Sequence, residues 1–153
     1  MCGLPVLAAA GCFSSAGALP AVRWFDPLPA LAAPPAPVPL RVTAAAHLGR
    51  EFVVRVAARE VAFDGQHQWI AEPRDLVAGL LAGSGLAGDV HVTAFELDVT
   101  GEPRAVVRLI VRGTDGASRV VEASSPAADR SPSTFAQAMA AALADLQNRV
   151  ASR

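Results

Sequence analysis

The chain has 153 residues, enough for one domain, and 52% of them are apolar while 18% are charged. This composition excludes disorder along the whole length, because disordered chains are poor in apolar residues and rich in charged ones. The net charge is −1, so a nucleic-acid partner, which needs a strongly positive surface, is not expected. No stretch reaches the roughly 18 consecutive apolar residues of a membrane-spanning helix.

Residues 1–11 contain no charged residue and form a signal-like leader that is too short to span a bilayer. The leader ends in small residues directly before Cys12. This run resembles a lipobox, the motif in which bacterial lipoproteins are acylated on a cysteine and cleaved before it, although Ala9 stands where leucine is usual. The sequence therefore predicts Cys12 as a lipid anchor. The alternative is an apolar N-terminus with a chance cysteine.

Residues 12–39 are rich in alanine and proline, with six prolines between Pro27 and Pro39. Such a composition favours an extended chain without a packed core, so this range is predicted to be a lipidated tether. At roughly 3.1 Å per residue, the part after Cys12 could reach on the order of 80 Å. Trp24 and Phe25 interrupt the tether, and two aromatic residues there indicate docking, either on the chain's own domain or on a partner.

The remaining range, 40–153, is predicted to be the folded domain. Alternation of apolar and polar residues in 40–43 and 52–56 indicates half-buried strands. Val61-Ala62-Phe63 leads into Asp64-Gly65, a turn dipeptide, and then into the strand that contains Trp69, so a hairpin is predicted here.

A first helix is predicted to begin at Pro73, because the missing N–H of proline costs nothing at the first helical position. Its apolar residues recur at helical spacing on one stripe, and Gly83 and Gly85 are predicted to end it. The stripe consists of Leu76, Val77, Leu80 and Leu81.

The next two strands carry information about register. Val90 and Val92 occupy even-numbered positions, whereas Phe95 and Leu97 occupy odd-numbered ones. The alternation therefore changes phase near Ala94, which predicts a bulge.

A three-residue loop centred on Gly101 then places Asp98 opposite Arg104. The same alternation puts Glu96 and Asp98 on a charged face, which is predicted to be exposed to water. Asp115-Gly116 turns the chain into a further strand.

Ser131-Pro132 and a Thr134…Gln137 capping box predict the start of a long C-terminal helix. Its apolar stripe is formed by Phe135, Met139, Leu143, Leu146 and Val150. Together these elements predict an α/β (α+β) fold: a largely antiparallel mixed sheet of about six strands, with two helices packed on one face and an extended tether before it.

Candidate catalytic and cofactor motifs are few. Gly83–Gly88 matches the dinucleotide-binding fingerprint G-x-G-x-x-G, but it follows a helix and precedes a strand, the reverse of the order that pyrophosphate binding needs. His47, His67 and His91 have no spacing that would place two of them in one metal site. Glu96 and Asp98 are interpreted as parts of an ion-paired surface rather than an acid–base dyad. We therefore expect no cofactor, no metal and no enzymatic activity.

Several segments, taken in order, resemble the ABC-type transport auxiliary lipoprotein family, the PqiC-like proteins. They are Phe52-Val53-Val54-Arg55, Val61-Ala62-Phe63, His67-Gln68-Trp69-Ile70-Ala71-Glu72-Pro73, Phe95-Glu96-Leu97-Asp98 and Pro103-Arg104-Ala105-Val106-Val107-Arg108. Arg23-Trp24-Phe25-Asp26-Pro27-Leu28 is similar to the aromatic strap after the family's lipobox. The chain departs from the family pattern by Ile70 and by its lack of tyrosine.

The resemblance implies a non-enzymatic periplasmic lipoprotein that assists an ABC permease, its ATPase and an MCE-domain protein in moving lipids or other hydrophobic molecules. It also implies attachment to the outer membrane in preference to the inner one, and self-association into homo-oligomers. Candidate partner contacts are Trp24, Phe25, Phe63 and Trp69, with Trp69 equally interpretable as a core residue. The alternative function is an envelope lipoprotein that regulates or scaffolds a cell-wall enzyme by protein contact.

Overall fold

The computed structural model describes residues 21–28 and 39–151. These residues form a mixed sheet and two helices. In chain order the elements are β1 Arg23–Phe25, β2 Leu40–Ala44, β3 Glu51–Ala57, β4 Glu60–Trp69, α1 Pro73–Leu81, β5 Gly88–Asp98, β6 Arg104–Arg112, β7 Ser118–Pro126 and α2 Pro132–Ala151.

The strands lie in the order β1-β4-β3-β5-β6-β7, and β2 also pairs with β5. The three long ladders, β3–β4, β5–β6 and β6–β7, are antiparallel. The pairs β1–β4, β2–β5 and β3–β5 are parallel. The predicted α+β class, with a mixed and largely antiparallel sheet and two helices, is confirmed.

Strands β2 and β3 pair with the same side of β5, one after the other. β2 runs beside Gly88–Val92, whereas β3 runs beside Glu96–Asp98. Between these two stretches the β5–β6 ladder shifts register at Val92/Ala94, so the bulge predicted near Ala94 is confirmed. Because of this bulge, the even-numbered Val90 and Val92 and the odd-numbered Phe95 and Leu97 all face the same core.

The predicted apolar stripes of α1 and α2 are both buried, because they face the sheet. On α1 the buried side chains include Leu76, Val77, Leu80 and Leu81. On α2 they include Phe135, Met139, Leu143, Leu146 and Val150. Two polar contacts hold this layer together, since the Gln147 side-chain amide donates to the Leu80 carbonyl at 3.4 Å and the Arg119 guanidinium donates to the Val150 carbonyl at 2.8 Å.

The predicted hairpin turn at Asp64-Gly65 is wrong. β4 continues through both residues, and the turn between β3 and β4 falls instead at Ala58-Arg59. Asp64 forms a bulge in β4: its Oδ1 accepts a hydrogen bond from the Gln66 N–H at 3.0 Å, and the β3–β4 register shifts between Glu51 and Phe52. Asp-Gly chemistry supports such a local turn within a strand as well as at its end.

The predicted start of α2 at Pro132 is confirmed, but its capping residue lies earlier than predicted. Ser131 precedes the helix, and its hydroxyl lies 3.4 Å from the Thr134 N–H while its carbonyl accepts from Phe135. Thr134 is therefore already inside the helix. Proline at the first helical position determines the residue at which α2 begins, whereas the Thr134…Gln137 pattern does not.

The connection from α1 to β5 is a helix-ending turn. The helix ends at Leu81, and Gly85 and Gly88 have φ angles of +69° and +118°. A Cβ atom on Gly88 would collide with the Arg112 carbonyl oxygen. Gly88 is thus required by the close approach of β5 and the end of β6, which accounts for a glycine of the G-x-G-x-x-G pattern without a cofactor.

Residues 23–25 fall in the range predicted as tether but form β1, the edge strand beside β4. Phe25 and Leu28 pack against the hydrophobic core, and Pro27 is buried. The folded part of the chain therefore includes this segment as well as residues 39–151.

Candidate functional site

The four aromatic side chains selected from the sequence divide into two buried or half-buried residues and two exposed ones. Trp69 is 1% exposed, and its ring stacks on Phe52 with a centroid distance of 4.1 Å and meets Phe95 edge-on at 5.3 Å. Its indole N–H lacks a hydrogen-bond acceptor in the described part of the chain. Trp69 is therefore a core residue, and its role as a direct partner contact is excluded by its burial.

Phe25 also belongs to the aromatic core. Its ring lies 5.2 Å from Phe52 and 6.0 Å from His67, and its backbone carbonyl accepts from the Ile70 N–H at 2.8 Å. The aromatic residues of the strap therefore dock on the chain's own sheet through Phe25. Of the two alternatives for this segment, the structure selects the intramolecular one for that side chain.

Trp24 and Phe63 project to solvent. Trp24 is 53% exposed and Phe63 is 51% exposed. Strand pairing places Phe63 opposite Val53 and Trp24 beside Gln68, on the sheet face turned away from the core aromatic residues. We call this second face, which lies opposite both helices, the open face.

The centre of the open face is built on ion pairs. The Arg55 guanidinium donates to both Glu96 carboxylate oxygens, from Nε at 2.6 Å and from Nη2 at 2.8 Å. Arg104 binds Asp98 from Nε and Nη2 at 3.2 and 3.0 Å. The Arg55–Glu96 pair is bidentate, whereas both Arg104 nitrogens donate to one Asp98 oxygen, Oδ2. The two pairs connect neighbouring strands of the sheet, β3 to β5 and β5 to β6.

The ion-paired interpretation of Glu96 and Asp98 is right, but their predicted exposure to water is wrong. Glu96 is 4% exposed and Asp98 is 6% exposed. Glu96 lies in a row with Val53 and Val106, which are also buried, at the middle of a wide sheet. Alternation assigns a face to each residue, but neighbouring side chains in the middle of that face exclude the water.

The predicted pairing of Asp98 with Arg104 is confirmed, although residues 99–103 connect the strands where a three-residue loop was expected. Burial raises the pKa of Asp98, but hydrogen bonds from the Thr100 hydroxyl and N–H and from Arg104 outweigh burial and place that pKa below its usual value. The hydrogen bond to Glu96 raises the pKa of Arg55. Asp98 is therefore held as a charged structural group, and the Glu96 side chain is engaged by both hydrogen bonds from Arg55.

The side chains of Asp98 and Arg104 also line a surface crevice of about 400 Å³ next to the β5–β6 connection. Its other lining residues include Thr100, Ser124 and Pro126. Asp98 already accepts hydrogen bonds from Thr100 and Arg104, so the crevice offers no free acid–base pair at that carboxylate.

The described histidines have separate environments. The His67 Nδ1 atom lies 2.6 Å from Asp64 Oδ2, and the His91 Nδ1 atom lies 2.9 Å from the Thr43 hydroxyl. Within residues 21–28 and 39–151, histidine and carboxylate side chains do not gather in groups of three that could hold a metal ion. In the same ranges no helix combines the length and apolarity needed to cross a membrane. Cys12 lies outside the described residues.

Two further apolar residues are exposed on the open face and were not predicted: Ile110 and Val120, which are cross-strand neighbours in β6 and β7. The sequence contained a signal for Ile110, because it alternates in phase with Arg108 and Arg112 and so lies on the charged face of β6. Arg55 was likewise not predicted as the partner of Glu96. That contact depends on the parallel pairing of β3 with β5, which the local sequence does not reveal.

Comparison with solved structures identifies the same fold elsewhere. The chain is similar to the crystal structure of protein XCC0632 from Xanthomonas campestris, described as DUF330, with a TM-score of 0.63, 20% identity, and coverage of 86% of this chain and 90% of that one. It is also similar to an uncharacterized protein, with a TM-score of 0.62, 10% identity, and coverage of 86% and 97%. No family model and no curated protein matches the sequence. At these identities the likeness shows the fold alone.

Proposed function

We propose that this chain is a non-enzymatic periplasmic auxiliary lipoprotein of an ABC/MCE-type transporter that moves lipids or other hydrophobic molecules across the bacterial envelope. In this role Cys12 anchors the protein, in the outer membrane by preference, and the folded domain docks on an MCE-domain protein of the permease–ATPase complex. The ordered resemblance of the sequence segments to the auxiliary lipoprotein family supports this proposal.

The observation that carries the docking role is the open face of the sheet. Both helices pack on the other face, and the open face presents Phe63 beside the buried Val53. An exposed aromatic ring next to a rigid, ion-paired sheet is a typical anchor for a protein partner, because its binding requires little loss of side-chain freedom.

The charges of the open face favour an apolar contact over electrostatic attraction. Arg55, Arg104 and Arg108 are paired with Glu96, Asp98 and Glu122, so three positive charges are balanced within the domain. Partner binding through this face should therefore depend weakly on salt. The engagement of Glu96 and Asp98 in these pairs is also what supports a non-catalytic role.

The anchor is tested by Cys12→Ala in the full chain, followed by membrane fractionation. We expect the wild type in the membrane fraction and the variant in the soluble periplasmic fraction. Membrane association that is unchanged in the variant would refute the lipid anchor.

The docking role is tested by binding of the purified full chain to an MCE-domain protein from the same organism. We expect Phe63→Ala to weaken binding at least about tenfold, the effect of losing one aromatic anchor. Val120→Ala, which also removes an exposed apolar side chain from the open face but at its other edge, is the matched control and should retain binding. Failure of the wild type to bind would refute this partner, and specific binding to a cell-wall enzyme would favour the alternative function.

A further inference from the structure

The edge of the sheet formed by β1 carries exposed apolar residues at the place where the chain enters the fold. Val22, Trp24 and Ile70 are all more than one-third exposed. Ile70 is next to β1, since its N–H donates to the Phe25 carbonyl. We call this group the β1 edge.

Docking of β1 on the sheet shortens the tether. If the chain were free up to residue 39, it could hold the domain on the order of 80 Å from its anchor. Ala21 lies two residues before the start of β1. Eight residues, 13–20, separate Ala21 from Cys12, and eight residues reach about 25 Å when extended. The first 22 residues also contain no charge. The β1 edge is therefore the part of the domain that the proposed lipid anchor holds nearest the membrane.

The chemistry of the β1 edge fits a bilayer interface. Tryptophan prefers the boundary between headgroups and acyl chains, where its ring is buried and its N–H remains hydrated. The Arg50 guanidinium lies 5.9 Å from the centroid of the Trp24 ring and is exposed, so it can contact lipid phosphates beside that ring. Asp26 and Glu51 balance Arg23 and Arg50, so this edge has no net charge that would demand anionic lipid.

We propose that the β1 edge rests on the phospholipid interface, with Trp24 inserted between the headgroups and the open face extending away from the membrane. This inference rests on the proposed lipid anchor. Five strand spacings separate β1 from β7, so the β7 edge lies about 24 Å from the β1 edge. The protein would thus be oriented on the bilayer as well as attached to it.

The test uses the lipidated full chain in phosphatidylcholine vesicles whose acyl chains carry bromine, a short-range quencher of tryptophan fluorescence. Flotation of the vesicles first shows whether the protein is anchored. We expect the wild type to lose most of its Trp24 emission relative to vesicles without bromine. Trp24→Phe should lose this quenching, because the remaining Trp69 is buried in the core. Adding phosphatidylglycerol should leave the quenching unchanged.

The matched control moves the reporter to the other edge of the open face, with V120W in the Trp24→Phe background. We expect this protein to float with the vesicles and to show no bromine quenching beyond that of Trp24→Phe. Flotation of the wild type without Trp24 quenching, or equal quenching at position 120, would overturn the orientation while leaving the anchor intact.

Failure to float would overturn both the anchor and the orientation. If the MCE-domain protein shields Trp24 and the brominated lipid does not quench it, the β1 edge is a contact for a protein partner instead. Quenching that appears only with phosphatidylglycerol would overturn the assignment to a neutral interface.

Discussion

The helix-covered face and the open face of the sheet use the same strands but are stabilised differently. On the helix-covered face, Val92, Leu109 and Val121 form a cross-strand row of buried aliphatic side chains. On the open face, the row through Val53, Glu96 and Val106 is also buried, but it contains a carboxylate that Arg55 must neutralise. The middle of this wide sheet therefore excludes water on both faces, and on the open face the buried carboxylates Glu96 and Asp98 are neutralised by arginine side chains.

The largest expected effect is in the aromatic core of the helix-covered side. Trp69→Ala should lower the free energy of unfolding by about 3–5 kcal/mol, because it leaves a cavity between Phe52 and Phe95. The matched control, Trp24→Ala, removes an exposed ring and should cost less than about 1 kcal/mol. Urea denaturation of both variants measures the difference, and equal losses would contradict the assignment of Trp69 to the core.

A smaller loss is expected from the ion pair at the centre of the open face. Glu96→Ala should cost about 2–3 kcal/mol, because it removes a buried carboxylate and leaves Arg55, which is partly exposed, without its bidentate partner. Glu122→Ala breaks the pair with Arg108, whose side chains are about half exposed, and should cost at most about 1 kcal/mol. If both substitutions had the same effect in urea denaturation, the open face would be an ordinary solvated surface.

The third expected effect is a pH dependence that arises from Asp98. Its pKa is lower in the folded protein than in the unfolded chain, so its contribution to stability is complete above the unfolded value and is lost as the pH falls through the folded value. Asp98→Asn should therefore flatten the stability profile on the acid side, which thermal denaturation between about pH 2 and pH 6 measures. An unchanged acid slope in Asp98→Asn would show that other carboxylates determine it.

The smallest expected effect is at the exposed aromatic residue of the open face. Phe63→Ala should change the free energy of unfolding by less than about 1 kcal/mol, whereas Phe52→Ala on the partner strand should cost about 3–5 kcal/mol. Thermal denaturation compares the two variants. A large loss in Phe63→Ala would mean that this ring stabilises the sheet, and the binding experiment would then need a milder substitution such as Phe63→Leu.

The elements that could be predicted are those whose signals are local. The stripes of α1 and α2 repeat within one helix, and the change of parity near Ala94 is visible within one strand. The antiparallel pairing of Asp98 with Arg104 follows from a short connection, because the alternation of the two strands restricts the register.

Predictions failed where one local pattern has two structural meanings. Asp64-Gly65 supports a bulge as readily as a hairpin turn, and the true turn at Ala58-Arg59 contains no glycine or asparagine to reveal it. The alternation of charged and apolar residues on β5 is the same whether its charged face is exposed to water or buried. Burial of that face depends on strands that are distant in the sequence. Glu96 illustrates this, since its partner Arg55 lies 41 residues earlier.

The candidate site was harder to predict than the fold. Trp24 and Trp69 both belong to aromatic segments of the resemblance, but one is exposed and the other is fully buried. Their environments depend on the parallel pairing of β1 with β4, which joins residues 44 positions apart, Trp24 and Gln68. No periodicity within either segment contains that information.

The successive pairing of β2 and β3 with one side of β5 has a consequence for how this domain tolerates changes in length. Residues 45–50 join two strands whose registers are each determined by β5, so an added residue there shifts neither ladder. Within this connection Leu48 is buried, whereas Ala46 and His47 are exposed. A short peptide tag inserted after His47 should therefore leave the melting temperature nearly unchanged and give a labelling site that interrupts no strand.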